Sequence, residues 1–146
     1  MPTNLKSQAL VGIQLACIVY LLATLTLATF TLPDILLAGG AIILGLSALI
    51  TLGPSRVRVL PEPSKNARLA TSGPYRVVRH PMYTAAIVLT VALVLDKPSW
   101  DRLGAAVILL VDLILKLRYE EYLLSRRFPE YADYRRRTWR LFPPIY

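Results

Sequence analysis

The most constraining feature of the sequence is an almost uncharged stretch that fills its first third. Between Gln8 and Leu52 the only charged residue is Asp34. Soluble domains carry about 25% charged residues, whereas this chain of 146 residues carries 18% and places most of them after Leu52. Such a stretch would expose far too much apolar surface to water in a soluble fold. It therefore predicts an integral membrane protein.

Four apolar runs predict an all-α membrane protein with about four transmembrane helices. Residues 8–30 and 35–52 each approach the roughly 20 residues that a spanning helix needs, so they predict two N-terminal spans. Residues 82–95 and 103–117 are shorter and are joined by a polar turn, which predicts a shorter helical hairpin. We expect the segment after the last run to be helical and cytoplasmic.

The chain divides into a part with little chemistry and a part with almost all of it. We treat residues 1–146 as a single domain in which residues 1–52 form an N-terminal transmembrane hairpin. Residues 53–146 hold seven of the 8 tyrosines and nearly all the charge. We therefore expect the function of the protein to reside in this second part.

Lysine and arginine are distributed very unequally between the two predicted membrane faces. With four helices, only Lys97 and Arg102 of the 17 basic residues lie on the face opposite the termini. Basic loops are retained in the cytoplasm, so we expect a multi-pass protein with both termini and the active site cytoplasmic. Membrane orientation and attraction to anionic lipid headgroups thus explain the net charge of +8, and nucleic-acid binding is not expected.

A dense motif precedes the third predicted helix. It reads Ser72-Gly73-Pro74-Tyr75-Arg76-Val77-Val78-Arg79-His80-Pro81-Met82-Tyr83. Gly-Pro breaks regular structure, and Pro81 suits the first position of a helix. Arg79 and His80 would therefore lie at a helix start, where anions such as carboxylates bind. His80 is the only histidine and Cys17 the only cysteine, so no metal site is expected.

Acidic residues of the fourth predicted helix form a second group. Glu120 and Glu121 are adjacent, so they point about 100° apart on a helix. One can face a site while the other pairs with a base, or Glu120 can simply pair with Lys116 on the helix surface. Asp112 lies inside the apolar run, and we expect it to pair with Lys116 one turn later, since buried acids are costly.

The C-terminal segment has an aromatic pattern. We expect Pro129 to begin a short helix, on which Tyr131, Tyr134, Thr138 and Phe142 recur at spacings of three and four and form one stripe. Such a helix can lie on the membrane surface or can close over a cofactor. Both roles are compatible.

In this order, the motifs resemble those of the isoprenylcysteine carboxyl methyltransferases and the related phospholipid N-methyltransferases. These integral membrane enzymes share Arg-His-Pro-x-Tyr, an apolar stretch and a Glu pair, found here at residues 79–83 and 120–121. The resemblance covers about residues 70–144. It implies S-adenosylmethionine as the methyl donor, bound from the cytoplasmic side, and a lipophilic acceptor that enters from the surrounding membrane lipids.

The resemblance also implies roles for individual residues. The expected cofactor-binding residues are Tyr75, Arg79, His80, Pro81, Met82, Tyr83, Glu120 and Pro143. The expected catalytic residues are Glu121, Arg127 and Arg140. Residues 72–83, 116–128 and 138–144 should then converge on one pocket that opens to the bilayer.

The nature of the acceptor decides whether a base is needed. A carboxylate is ionised at neutral pH and needs only an arginine, for which Arg127 or Arg140 could serve. A lipid amine must first lose a proton, to Glu121 or His80. The residues allow both reactions, and we favour carboxyl O-methylation.

Two other functions are compatible with parts of the sequence. Some sterol reductases share a related C-terminal pattern but bind NADPH. A non-enzymatic membrane module could use the arginine-rich end to bind anionic lipid, although that reading leaves His80 and the Glu pair unexplained.

Overall fold

A computed structural model describes residues 5–26, 29–53 and 69–146. Within these ranges the chain is all-α, as predicted, and its only β feature is an isolated parallel bridge between Val78 and Trp139. A 3₁₀ turn at Gly73–Arg76 precedes the third helix. The helices are α1 Leu5–Ala23, α2 Leu32–Leu52, α3 Pro81–Asp96, α4 Trp100–Arg127 and α5 Tyr131–Arg137.

Helices α1 and α2 correspond to the two predicted N-terminal spans. Both are long and apolar enough to cross a membrane, while α3 is apolar but shorter. Many of their large side chains point outward, among them Ile43 and Ile50, which are 70% and 77% exposed. Helix α4 extends well beyond the predicted run 103–117 in both directions. The crossing of the membrane by four helices stays a prediction.

Asp34 is explained by its position at the start of α2. Its carboxylate Oδ2 accepts hydrogen bonds from the Thr31 backbone N at 2.9 Å and from the Thr31 hydroxyl at 2.5 Å. A short acidic side chain in the first turn satisfies donors that the helix cannot satisfy itself and favours the helix dipole. The one charge of the uncharged stretch is therefore part of a helix cap.

The helices pack most extensively in two pairs, α2 along α3 and α1 along α4, whereas α1 and α2 make little contact with each other. A buried apolar core contains Cys17 and Leu21 of α1 together with Leu93 of α3 and Leu109 and Leu113 of α4. This packing leaves one end of the bundle for the start of α3, the end of α4 and the C-terminal segment.

The C-terminal helix is shorter than the predicted aromatic stripe. Helix α5 ends at Arg137, and Thr138 is extended with φ −138° and ψ 151°. The prediction that one helix carries the whole stripe is therefore wrong beyond Tyr134, because Thr138 and Phe142 lie outside α5. The chain leaves the helix there because its backbone pairs with the segment before α3.

Asp112 and Lys116 attract each other electrostatically, as predicted, but no direct hydrogen bond joins them. Both carboxylate oxygens of Asp112 are buried and have no hydrogen-bond partner among the described residues. The Lys116 ammonium instead donates to the side-chain oxygen of Gln14 on α1. Gln14 was not considered, since it lies far away in sequence.

Arg102 is a basic residue that the structure buries, although it follows a polar turn in the sequence. It is only 1% exposed. Its Nη1 donates to the backbone oxygen and to the hydroxyl of Thr24, both at 2.7 Å, and its Nη2 donates to the backbone oxygen of Leu93. One guanidinium thus ties the C-terminal ends of α1 and α3 to the start of α4.

We expect Arg102→Met to destabilise the protein by about 3 kcal/mol, because hydrogen bonds from a charged group contribute about 1.5–3 kcal/mol. Thermal unfolding in a non-ionic detergent measures the effect. Lys97→Met, a change of an exposed basic residue in the same turn, is the matched control. Equal melting temperatures of the two variants would show that the Arg102 contacts contribute little.

Candidate active site

The candidate site lies at the end of the bundle where α3 begins and α4 ends. The segments expected to converge do so, since side chains from the motif before α3, from the Glu pair of α4 and from the C-terminal segment contact one another. Those in direct contact are Arg79, His80, Tyr83, Glu120, Glu121 and Arg140.

Backbone pairing holds the motif against the C-terminal segment. The Trp139 N donates to the Val77 oxygen at 2.9 Å, and the Arg79 N donates to the Trp139 oxygen at 2.7 Å. The His80 N then donates to the Arg140 oxygen at 3.1 Å. These three bonds fix the positions of Arg79, His80 and Arg140 relative to one another.

Glu121 is the centre of the side-chain network. Its Oε1 lies 2.8 Å from Arg79 Nε, and its Oε2 lies 3.0 Å from Arg140 Nε. The side chain is only 6% exposed. Burial alone would raise the pKa of Glu121, but the His80 imidazole and the Arg79 guanidinium lower it to about 2. Glu121 is therefore ionised and has an arginine on each oxygen.

Arg79 extends this network to the end of α5. Its Nη1 donates to the backbone oxygens of Arg135, at 3.1 Å, and of Thr138. These carbonyls belong to the last turn of a helix, which has no backbone donors of its own for them. Arg79 thus caps the C-terminal end of α5 through Nη1, while its Nε binds Glu121.

Glu120 occupies a different environment from its neighbour. Its Oε2 accepts a hydrogen bond from the Tyr83 hydroxyl at 2.9 Å and lies 3.8 Å from His80 Nδ1. The Glu120 side chain is 30% exposed, against 6% for Glu121. Of the two alternatives that the sequence left open, the structure therefore has the first: Glu121 pairs with basic groups, and Glu120 lines a cavity.

His80 is buried between the two carboxylates. Its ring stacks on Tyr83, with 5.5 Å between the ring centroids. Its Nε2 lies 3.5 Å from Glu121 Oε1, outside hydrogen-bonding geometry, and has no other partner within the described ranges. The contact of His80 with Glu121 is therefore electrostatic rather than a hydrogen bond, and it is one of the causes of the low pKa of Glu121.

A cavity of about 100 Å³ adjoins this network. Arg79 and Glu120 supply its charged groups, and its remaining wall is aromatic and aliphatic. A carboxylate beside tyrosine rings favours a bound cation. The lining residues are Leu52, Leu69, Ala70, Tyr75, Arg79, Glu120, Leu124, Tyr131 and Tyr134.

Two tyrosines of this wall were not among the predicted site residues. The Tyr134 hydroxyl donates to the backbone oxygen of Tyr75 at 2.8 Å, which fixes the 3₁₀ turn against α5. Tyr131 is 1% exposed and packs against Tyr134. Their three-residue spacing was visible in the sequence as part of the aromatic stripe, for which a membrane-surface role and a role in closing over a cofactor were both left open.

The remaining predicted residues lie around the network. Pro81 is the first residue of α3 and is buried, and Met82 follows it in the first turn, half-buried. Arg127 is the exposed last residue of α4, with its guanidinium 5.7 Å from the centre of the Phe128 ring. Pro143 is exposed in the C-terminal turn. Roles for these four residues stay predictions.

Comparison with known proteins gives one family and two relatives. The model of the phospholipid methyltransferase family matches residues 28–131, which include α2, α3, α4 and the Glu pair. The nickel-cobalt-cadmium resistance protein NccN of Alcaligenes xylosoxydans xylosoxydans is 39% identical over 85 residues, which are 56% of this chain and 38% of that protein. No solved structure matches.

A second relative covers nearly the whole chain. The cobalt-zinc-cadmium resistance protein CzcN of Cupriavidus metallidurans is 30% identical over 152 aligned residues, which are 97% of this chain and 67% of that protein. The chain thus spans between about two fifths and two thirds of the length of these relatives. The family match covers most of the chain. It includes every residue of the side-chain network except Arg140. The chain therefore belongs to the phospholipid methyltransferase family.

Proposed function

We propose that this protein is an S-adenosylmethionine-dependent integral membrane methyltransferase that acts on a lipophilic acceptor at the cytoplasmic membrane surface. The observation that carries the proposal is the network around Glu121, which assembles the family's motif residues beside a cavity at the end of an apolar bundle. The asymmetric distribution of basic residues supports a cytoplasmic location of this end.

The residues of the cavity fit one end of the proposed cofactor. When bound, S-adenosylmethionine supplies a methyl group on a sulfonium cation and also carries an ammonium group. The Glu120 carboxylate and the Tyr75 ring, which both line the cavity, suit these cations. Ligand sites usually measure about 300–1,000 Å³, so a cavity of about 100 Å³ would hold part of the cofactor.

The two carboxylates would have separate roles. Glu121 is bound on both oxygens, so it would hold Arg79 and Arg140 in place and keep the C-terminal segment over the site. Glu120 keeps an exposed part and lines the cavity, so it would contact the ligand. Methyl transfer then depends on positioning and on exclusion of water.

The acidity of Glu121 favours a carboxylate acceptor. A carboxyl with a pKa of about 2 is a weak proton acceptor at neutral pH. N-methylation would therefore need His80 as the base, whereas O-methylation of a carboxylate needs none. Arg140 is 27% exposed and Arg127 lies exposed at the end of α4. Either guanidinium could bind the acceptor carboxylate.

The first test is calorimetric titration of the purified protein in detergent with S-adenosylhomocysteine, and with NADPH in a parallel titration. We expect saturable binding of S-adenosylhomocysteine and no binding of NADPH. Binding of NADPH alone would favour a reductase. Binding of neither compound to folded protein would leave a lipid-binding module as the better explanation.

A second prediction separates the two carboxylates. Glu120→Gln should weaken S-adenosylhomocysteine binding about tenfold, since one lost charge-assisted contact is worth about 1.5–3 kcal/mol, and should leave the melting temperature nearly unchanged. Glu121→Gln should lower the melting temperature clearly, because two arginines lose their partner.

The control for this pair is Glu130→Gln, a change of an exposed acid just before α5. It should leave both ligand affinity and melting temperature unaltered. A normal affinity of Glu120→Gln, or a normal melting temperature of Glu121→Gln, would contradict the division of roles.

A third prediction concerns pH. The folded pKa of Glu121, about 2, lies below its ordinary value of 4.5. A depressed carboxyl pKa gives stability that is fully present above about pH 4.5 and is lost as the pH falls toward 2. The difference in melting temperature between the protein and Glu121→Gln should therefore shrink across this range. A difference that stays constant down to pH 2.5 would be inconsistent with the ion-pair network.

A further inference from the structure

Tyr131 carries a hydroxyl group that the fold leaves without a hydrogen bond. The residue is 1% exposed, and no atom of the described ranges lies in hydrogen-bonding geometry with its hydroxyl. Nearly all buried polar groups in proteins have such a partner. A buried hydroxyl that lacks one is unfavourable unless something else supplies it.

The nearest charged group does not supply this partner in the structure. Burial and the neighbouring Glu121 carboxylate raise the pKa of Tyr131, so its hydroxyl stays protonated at neutral pH and can act as a donor. Each oxygen of Glu121 binds an arginine, Arg79 or Arg140, and neither oxygen lies in hydrogen-bonding geometry with the Tyr131 hydroxyl. The hydroxyl therefore keeps its capacity to donate a hydrogen bond.

The position of Tyr131 indicates where a partner would lie. Its side chain lines the cavity of about 100 Å³ together with Tyr75, Arg79 and Glu120. Tyr134 lines the same cavity, but its hydroxyl is used in the bond to the Tyr75 backbone oxygen. The Tyr134 hydroxyl is thus used in a hydrogen bond within the fold, whereas the Tyr131 hydroxyl can still donate one.

We propose that Tyr131 is a ligand-binding residue whose hydroxyl donates a hydrogen bond to an oxygen or nitrogen atom of the bound methyl donor. This inference rests on the proposed function. The methyl donor, rather than the lipophilic acceptor, is the expected partner because the cavity is bordered by Arg79, Glu120 and Tyr75 at the polar end of the bundle. The wall that carries Tyr131 is thus part of the cofactor site.

The test compares Tyr131→Phe with Tyr134→Phe, two variants that each remove a single oxygen atom. Calorimetric titration with S-adenosylhomocysteine and thermal unfolding without ligand are measured for both. Tyr131→Phe should weaken binding about three- to tenfold, the effect of one neutral hydrogen bond. Its melting temperature should stay equal or rise, because no bond within the protein is lost.

Tyr134→Phe should show a lower melting temperature, because it loses the bond to Tyr75. Unchanged affinity of Tyr131→Phe would overturn the inference. A lower melting temperature of Tyr131→Phe with unchanged affinity would show instead that its hydroxyl serves Glu121. If the unaltered protein itself fails to bind S-adenosylhomocysteine, the proposed function fails and this inference falls with it, which is a distinguishable result.

Discussion

The site depends on one ionised carboxylate, Glu121, that is held between two guanidinium groups. Arg79 comes from the segment before α3, Glu121 from the end of α4 and Arg140 from the C-terminal segment. Removing charges from water is expensive, and the cost is recovered only when each charge meets a well-placed partner. The three segments therefore form this network together or leave a buried charge uncompensated. This requirement makes the end of the bundle a defined structure rather than a set of loose loops.

The same network explains why a single acidic pair can serve two purposes. Neighbouring helix positions point in different directions, so Glu121 turns toward the arginines while Glu120 turns toward the cavity and Tyr83. His80 lies between them, with one ring nitrogen near each carboxylate. In the proposed function, structural and ligand-binding roles are thus assigned to two neighbouring residues, and a substitution at either position should reveal which role it has.

Much of this arrangement was predictable from the sequence, and the failures have physical causes. The uncharged stretch and Pro81 predicted the helices, because these signals are local, whereas the convergence of the motifs was expected only from the resemblance to a known family. The partners of Arg102 and Lys116 were not predictable, since Gln14 lies on α1, Thr24 directly follows α1 and no periodicity links them to α4. Tyr131 belonged to the predicted aromatic stripe, but its place in the cavity wall depends on tertiary contacts that no sequence pattern shows.

That backbone pairing has a consequence for biosynthesis. The strand-like segment at Val77 meets its partner Trp139 only after α3 and α4 have both been made. During translation the motif before α3 therefore cannot form this backbone pairing until the later segment has left the ribosome. A chain interrupted before Trp139 could still place its apolar helices in the bilayer, yet Arg79 and Glu121 would lack Arg140. Formation of the apolar helices and completion of the network around Glu121 are thus separable steps in the folding of this chain.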